Sequence, residues 1–319
     1  MQNPSTSPSS QPTRKPSLKA PNAHKAPKAD KAVQVIEELR EGQSIELLKE
    51  LHILTREGKL NQDTRRKLKQ VYHLYQFIEP LLMEASKGDA ALTLVDHGAG
   101  KSYLGFILYD LFFNVAKKTE AVTGHIYGIE TRAELVDKSR ELAARLGFAR
   151  MSFLNLSVQQ AITSAELPKT VDIVTALHAC DTATDDAIAF GIAKRARHMV
   201  LVPCCQAEVA GVLKRSKALA LVKTPLAELW RHPLHTREFG SQITNVLRCL
   251  QLEASGYQVT VTELVGWEHS MKNELILASQ PLVPNPGKTR AAQARLQSVL
   301  NELGLGELTD RFAVPAEAS

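Results

Sequence analysis

The sequence has 319 residues, of which 44% are hydrophobic and 5% aromatic, and its formal net charge is +5. That length allows one large domain with appendages or two small domains. No apolar run reaches the roughly 18 to 20 residues that a membrane-spanning helix needs, and no N-terminal signal sequence is visible. The four cysteines do not make a disulfide framework, so we expect a reduced, cytoplasmic protein with no membrane partner.

Residues 1–31 carry the whole excess of positive charge. They hold six lysines and arginines against the single acid Asp30, whereas the rest of the chain is close to neutral. The segment is rich in Ser and Pro and poor in large apolar residues, so burial cannot offset its ordering entropy. We predict a disordered basic tail, which is either a solvated linker or an arm that adds salt-sensitive affinity for nucleic acid.

Residues 32–88 predict a helical N-terminal region. Apolar residues recur there at three- and four-residue spacings, with Gly42 as a break. A second helix is expected from Asn61 to Leu82, and Asn61 or Asp63 could cap its start. The first turns of this helix carry four basic residues, Arg65, Arg66, Lys67 and Lys69. Their charges are either a solvated face or a nucleic-acid contact.

From residue 89 to residue 280, short apolar runs alternate with helical segments of about 10–15 residues, which predicts βαβ units. Five strands of this kind are expected, at Leu92–Val95, His125–Ile129, Met151–Leu154, Val171–Leu177 and Met199–Val202. The fold class is therefore α/β, with a parallel, doubly wound sheet.

A helical insertion, residues 206–257, separates these strands from a last pair at Gln258–Val265 and Glu274–Ala278. The connection between that pair is too short for a crossover helix, so the two strands should be antiparallel. Five parallel strands followed by an antiparallel hairpin resemble the Rossmann-like sheet of class I methyltransferases rather than that of dehydrogenases. Residues 281–319 add one helix, at about Ala291–Leu303, and a tail.

The stretch VDHGAGKSYLG, residues 95–105, looks like a phosphate-binding loop because it contains Gly-Lys-Ser. A Walker A motif needs its first glycine five positions before the glycine of that triplet, where this chain has Val95. The dinucleotide fingerprint G-x-G-x-x-G also fails, because Tyr103 stands at its third glycine. The spacing therefore argues against both an NTPase and a dinucleotide-dependent enzyme.

The remaining pattern is D-x-G-x-G, formed by Asp96, Gly98 and Gly100, and it resembles motif I of S-adenosyl-L-methionine (AdoMet) methyltransferases. Glycines let the backbone approach a ligand, a carboxylate can pair with its amino group, and the next helix's N-terminus favours its carboxylate. Glu130 ends the second strand, where an acid can bind both ribose hydroxyls, although it could be an ordinary first-turn helix acid. We also name Ser157 as a cofactor contact.

Three further motifs carry a closer resemblance: LHACDTATDDAI from residue 177, VPCCQ from residue 202 and EHSMKNELILA from residue 268. Between Lys67 and Ala278 the chain resembles the methyltransferase domain family of the methyltransferase-like 25 proteins and their bacterial relatives. It is more distantly similar to the enzyme that methylates a ribose 2′-hydroxyl in the tRNA acceptor stem. The resemblance implies an AdoMet-dependent methyltransferase that acts on RNA (tRNA or rRNA). We separately predict no stable protein partner.

The tips of the fourth and fifth strands should flank the transferred methyl group. They carry four side chains that could act together, His178, Cys180, Cys204 and Cys205. A tetrahedral zinc site is one possibility, although adjacent cysteines in an extended chain point to opposite faces. A cysteine nucleophile that adds to a pyrimidine is another, and small residues packed beside the cofactor are a third.

We assign no metal, and we name Asp181, Cys204 and His178 as candidate catalytic residues. Asp181 stands at the tip of the fourth strand and is the best-placed base for a hydroxyl acceptor. Asp185 could do similar work or could be a first-turn helix acid. A Lys-Asp-Lys-Glu set, which many ribose 2′-O-methyltransferases use, is not evident.

The insertion should overhang the reaction site, and it mixes basic with aromatic residues, which suits phosphate contact and base stacking. Its leucines indicate helix packing, so the same charges could be a solvated face. We name Arg237, Lys272 and Asn273 as candidate substrate contacts. The competing functions are methylation of a protein or small molecule, and RNA binding by a methyltransferase fold without activity.

Overall fold

The computed structural model describes residues 38–88, 90–114, 123–177, 179, 181–204, 206–216, 223–264 and 274–314. All of them belong to the compact unit Glu38–Ser319. The basic tail predicted for residues 1–31 lies outside the described residues. In the described ranges, no helix is both long and apolar enough to cross a membrane.

Within the described residues, seven strands form one sheet in the order β3–β2–β1–β4–β5–β7–β6. The strands are β1 (Leu92–His97), β2 (Gly124–Ile129), β3 (Met151–Leu154), β4 (Ile173–Leu177), β5 (His198–Val202), β6 (Gln258–Glu263) and β7 (Glu274–Ser279). The first five pair in parallel, and β7 is antiparallel to both β5 and β6. The prediction of five parallel strands and a terminal antiparallel hairpin is confirmed.

The order of the strands reverses between β1 and β4. From β1 the chain builds outward to β2 and β3 on one side, and it then returns to place β4 and β5 on the other. In open α/β sheets, ligands bind beyond the carboxyl ends of the strands at such a switch point. Asp96 of β1 and Thr175 of β4 pair across it.

Helices and helical turns cover both faces of the sheet and continue beyond it. They are α1 (Ile45–Glu50), α2 (Gln62–Ala85), α3 (Tyr103–Leu108), a π-helix (Tyr109–Asn114), α4 (Ala133–Leu146), α5 (Val158–Thr163), α6 (Ala183–Ala193), α7 (Glu208–Ser216), a 3₁₀ turn (Pro225–Trp230), α8 (Pro233–Ala254), α9 (Pro286–Glu302) and a 3₁₀ turn (Gly306–Leu308). At the start of α2, Asn61 and Thr64 form a capping box, so Asn61 rather than Asp63 is the cap.

Hydrogen bonds and ion pairs connect α1 to the helices that follow β1 and β2. Leu47 and Leu48 of α1 are buried, as are Ile78 and Leu82 of α2. The carboxylate of Asp110, in the π-helix after α3, accepts the N–H of Ser44 at the start of α1 through both oxygens, at 3.0 and 3.1 Å. The start of α1 is therefore tied to the same helix that follows the glycine loop.

Candidate active site

The glycine loop is a tight turn fixed to the end of β2. Gly98 and Gly100 have φ angles of +66° and +58°, a left-handed conformation that favours glycine. The N–H of Ala99 donates to the carbonyl of Ile129 at 2.9 Å, and the N–H of Gly100 donates to Glu130 Oε2 at 2.8 Å. The loop thus leaves backbone exposed to a ligand while its other side is hydrogen-bonded to the sheet.

Asp96 is buried beneath the loop, with 2% of its surface exposed. Its carboxylate accepts the hydroxyls of Thr175 at 3.0 Å and Ser102 at 3.3 Å. Burial raises the pKa of this carboxyl to about 6, against the lowering effect of those hydrogen bonds. At Gly105 a Cβ would lie 2.6 Å from Ser102 Oγ, so only glycine lets α3 pass this close. A buried carboxylate held in this way is suited to a cationic ligand group.

Glu130 lies at the end of β2 and bridges the loop to Arg132. Its carboxylate accepts Arg132 Nε at 3.0 Å and Arg132 Nη2 at 3.1 Å, besides the N–H of Gly100. Burial raises the pKa of Glu130, but the hydrogen bonds from Arg132 and Gly100 outweigh it, and the pKa falls below its usual value. Glu130 therefore stays ionised at the position where an acid can hold ribose hydroxyls.

A cleft with a volume of about 540 Å³ opens beside the loop. Its lining includes Asp96, Gly98 and Gly100 from the loop side and, from α2, Lys67 and Gln70 among others. The volume lies in the range of small-molecule sites, about 300–1,000 Å³. The N-terminal helical region is therefore one side of the candidate cofactor site, which the sequence analysis did not predict.

His97 follows Asp96 in β1 and is buried without a hydrogen-bond partner on either ring nitrogen. Its ring packs at 5.5 Å from that of Phe190 on α6. Burial lowers the pKa of His97 to about 4, against the opposing charge of Glu130, so the imidazole is neutral at physiological pH. In the sequence His97 was only the variable position of D-x-G-x-G.

The tip of β4 contacts the glycine loop and is linked to the tip of β5. A Cβ on Gly98 would lie 3.5 Å from that of Ala179, just beyond β4. Asp181 adopts φ +52°, and its carboxylate accepts the N–H of Ala207 at 3.0 Å. Cys204, two residues beyond β5, is partly buried. Asp181 and Cys204 thus lie on two neighbouring strand tips, beside the loop.

A buried polar network holds the two tips together. Arg248 of α8 donates through Nε and Nη2 to the two oxygens of Asp185, at 2.8 and 2.7 Å, and through Nη2 to the carbonyl of Asp181 at 2.8 Å. Asn245 accepts from Arg248 and from Gln206, which follows β5. Asp185 is therefore engaged in a buried ion pair, which makes it a support for the strand tips rather than a base.

The remaining predicted site residues lie apart from the loop and the strand tips or outside the described part of the chain. Ser157 caps α5: its hydroxyl accepts the N–H of Gln160 at 3.4 Å. Arg237 is exposed on α8 and pairs with Glu238 at 3.1 Å. His178, Lys272 and Asn273 lie outside the described residues.

Of the four side chains considered for a zinc site, Cys180 and Cys205 also fall outside the described part of the chain, as His178 does. Among the residues that are described, no group of three or more His, Cys, Asp or Glu side chains could hold a metal ion. Of the proposed zinc ligands, only Cys204 is described.

Residues 66–212 match a family model described as a methyltransferase domain. The match spans β1 to β5, the glycine loop, Glu130 and both strand tips. Together with the strand order, it identifies an AdoMet-dependent methyltransferase domain of the class I type in this part of the chain, with S-adenosyl-L-methionine as its cofactor. Among curated protein sequences, none matches the chain.

Solved structures with a similar fold have low sequence identity. Magnesium protoporphyrin IX methyltransferase from Synechocystis PCC 6803, with bound SAH, is 14% identical, with 74% of this chain and 93% of that chain covered at a TM-score of 0.39. An rRNA methylase from Streptococcus thermophilus is 8% identical, with 65% and 95% covered at 0.37. Fibrillarin from Aeropyrum pernix, with natively bound S-adenosyl-L-methionine, is 12% identical, with 63% and 73% covered at 0.35. None of these likenesses carries an assignment of substrate.

Proposed function

We propose that the chain transfers the methyl group of AdoMet to RNA, a tRNA or an rRNA, in the cytoplasm. The motifs at residues 177, 202 and 268, which resemble those of the methyltransferase-like 25 domain family, support this substrate class. The structural observation that carries the proposal is the start of α8, which extends basic and aromatic side chains beyond the tip of β5.

One contact supports this position of the start of α8. The hydroxyl of Ser241 donates to Gln206 Oε1 at 2.7 Å, so this part of α8 packs against the residues that follow β5. Arg237 is four residues earlier and therefore lies on the same side of the helix, one turn further out. It is exposed, and its pair with Glu238 is a surface ion pair, which costs little to break.

Aromatic and basic side chains lie near Arg237 in the sequence, and the two aromatic rings are partly buried against the core of α7, α8 and α9. Trp230 and Phe239 pack edge to face with their ring centroids 5.6 Å apart. Arg231, His232 and His235 are exposed around this pair. Cations that neutralise phosphates, next to aromatic rings on which bases stack, are the combination that single-stranded nucleic acid binds.

In the proposed reaction AdoMet supplies an electrophilic methyl group on its sulfonium. The chain's own contribution is position: Glu130 and the glycine loop hold the adenosine end, and the two strand tips orient the acceptor. For a hydroxyl acceptor, the carboxylate of Asp181 takes the proton. Cys204 and His178 stay candidate catalytic residues, with Cys204 as the nucleophile if the acceptor is a pyrimidine carbon.

Transfer of radiolabelled methyl from AdoMet to the RNA, protein and metabolite fractions of a cell extract tests the proposal. We expect ribonuclease-sensitive label that Asp181→Asn reduces and that Arg237→Gln reduces most at low salt, because a lost phosphate contact also lowers the salt dependence of binding. Arg290→Gln, an exposed arginine on α9, is the matched control and should leave the label unchanged. Label confined to protein or metabolites would overturn the RNA assignment, and RNA binding without any transfer would favour an inactive RNA-binding protein.

A further inference from the structure

The wall of the cleft that α2 forms faces the glycine loop with a lysine and an amide. We propose that Lys67 of α2, assisted by Gln70, binds the carboxylate of the methionine moiety of AdoMet. Both residues line the cleft together with Asp96, Gly98 and Gly100. The proposal rests on the cofactor assignment and holds for any methyl acceptor.

A charge argument requires a cation in this cleft. The methionine end of AdoMet carries an ammonium and a carboxylate, and Asp96 is the anion available for the ammonium. A carboxylate that leaves water needs a cation or several donors. The N-terminus of α3 is a weak substitute, because Ser102 at its start has a left-handed backbone and its hydroxyl bonds Asp96 instead of capping the helix.

Three cationic side chains line the cleft, Lys67, Lys101 and Arg132. Arg132 is engaged by the carboxylate of Glu130, at the ribose end of the site. Lys101 is exposed on the glycine loop, whereas Lys67 on α2 is partly buried. Of these three cations, Lys67 is therefore the one that remains for a carboxylate bound between the loop and α2.

Lys67 can change partners without disturbing α2. Its Nζ lies 3.0 Å from the carboxylate of Asp63, one turn earlier, and Asp63 is exposed. An exposed ion pair of this kind contributes little stability, so a ligand carboxylate can displace it. Gln70 is three residues further along and lies on the same face of the helix.

The helix that carries Lys67 is firmly held. The capping box of Asn61 and Thr64 fixes its start, and Leu68, next to Lys67, is buried. A lysine on a rigid support loses less entropy on binding than one on a loop, which suits a cofactor anchor.

Calorimetry with two ligands tests the assignment. S-adenosylhomocysteine keeps the amino-acid end of the cofactor, whereas 5′-methylthioadenosine has the same adenosine and thioether but no carboxylate. We expect Lys67→Met to weaken S-adenosylhomocysteine binding about tenfold or more and to leave 5′-methylthioadenosine binding unchanged. Lys67→Arg should restore most of the loss. Lys69→Met is the matched control, since Lys69 is exposed two residues further along α2 and does not line the cleft.

Each other outcome overturns the proposal for a different reason. Equal weakening of both ligands would mean that Lys67 only supports the fold. A selective loss in Lys101→Met but not in Lys67→Met would assign the carboxylate to the loop lysine. Unchanged binding of both ligands, with a raised KM for RNA, would assign Lys67 to the acceptor's phosphates. Failure of the unchanged chain to bind either ligand would contradict the cofactor itself, whereas a failed RNA assignment leaves all these binding results intact.

Discussion

The two halves of the site are built in different ways. On the β1–β2 side, the site residues themselves stand in one short motif and at one strand end, although the contacts that hold them, Gly100 with Glu130 and Asp96 with Thr175, join residues 30 and 79 positions apart. On the β4–β5 side, the tips are held by α8, whose Arg248 is 63 residues from Asp185. The first half is a motif whose functional residues can be recognised in the sequence, whereas the second depends on a buried ion pair whose partners carry no sequence signal.

The largest expected effect comes from breaking the buried ion pair that supports the tips of β4 and β5. Arg248→Met leaves the buried carboxylate of Asp185 without its partner and should lower the free energy of unfolding by about 3–5 kcal/mol. The measurement is urea denaturation followed by circular dichroism. Arg295→Met, which removes an exposed pair with Glu253, is the control and should cost less than about 1 kcal/mol.

The double variant sharpens this result. Asp185→Leu combined with Arg248→Met removes both charges and should recover much of the loss, because no unpaired buried charge remains. If Arg248→Met cost no more than Arg295→Met, the account of the strand tips would be wrong.

The second prediction concerns the pH dependence of stability and tests the two buried residues at the end of β1, Asp96 and His97. The pKa of Asp96 is raised to about 6, so the stability it contributes is present below its unfolded value of 3.8 and is lost as pH rises through 6. The pKa of His97 is lowered to about 4, so its contribution is present above 6.5 and is lost as pH falls through 4. Each shift corresponds to about 3 kcal/mol, and between pH 4 and 6 the two oppose each other.

Denaturation of two variants across that range separates the contributions. Relative to the unchanged chain, His97→Asn should gain stability as the pH is lowered towards 4, and Asp96→Asn should gain stability as it is raised through 6. Parallel pH profiles for all three proteins would show that neither group is buried in the charge state described above.

The smallest expected effect comes from two glycine substitutions, which distinguish a cost in backbone conformation from a loss of cofactor binding. Gly98→Ala and Gly147→Ala both place a side chain at a positive φ, +66° and +68°, and each should cost about 1 kcal/mol of stability. Nothing lies within 4 Å of a Cβ at Gly147, which caps α4 away from the loop. Only Gly98→Ala should weaken S-adenosylhomocysteine binding in a calorimetric titration. Equal binding by the two variants would remove Gly98 from the cofactor site.

The predictable parts of the fold are those with local causes. The predicted bounds of β3 agree with the structure at both ends. The antiparallel direction of β6 and β7 follows from the short connection between them. The change from α3 to a π-helix at Tyr109 was not predicted, because the apolar stripe through Leu104, Ile107 and Leu111 continues across it.

The site follows the same rule. Asp96, Gly98 and Glu130 could be named from one motif and one strand end. Nothing in the spacing linked Arg248 to Asp185, or α2 to the loop, because those contacts depend on how distant segments pack. One long-range contact of the site does have a signal in the sequence, because aligning β1 with β4 places Thr175 opposite Asp96.

The central claim is that the glycine loop and Glu130 bind AdoMet, and titration of AdoMet into the full chain tests it most directly. The account predicts binding by the unchanged protein, and a dissociation constant about tenfold or more higher for Glu130→Ala, which loses charged hydrogen-bond acceptors. Glu134→Ala removes an exposed first-turn acid of α4 and should bind as the unchanged protein does. Absence of binding by the unchanged chain, or equal affinities for Glu130→Ala and Glu134→Ala, would contradict the claim.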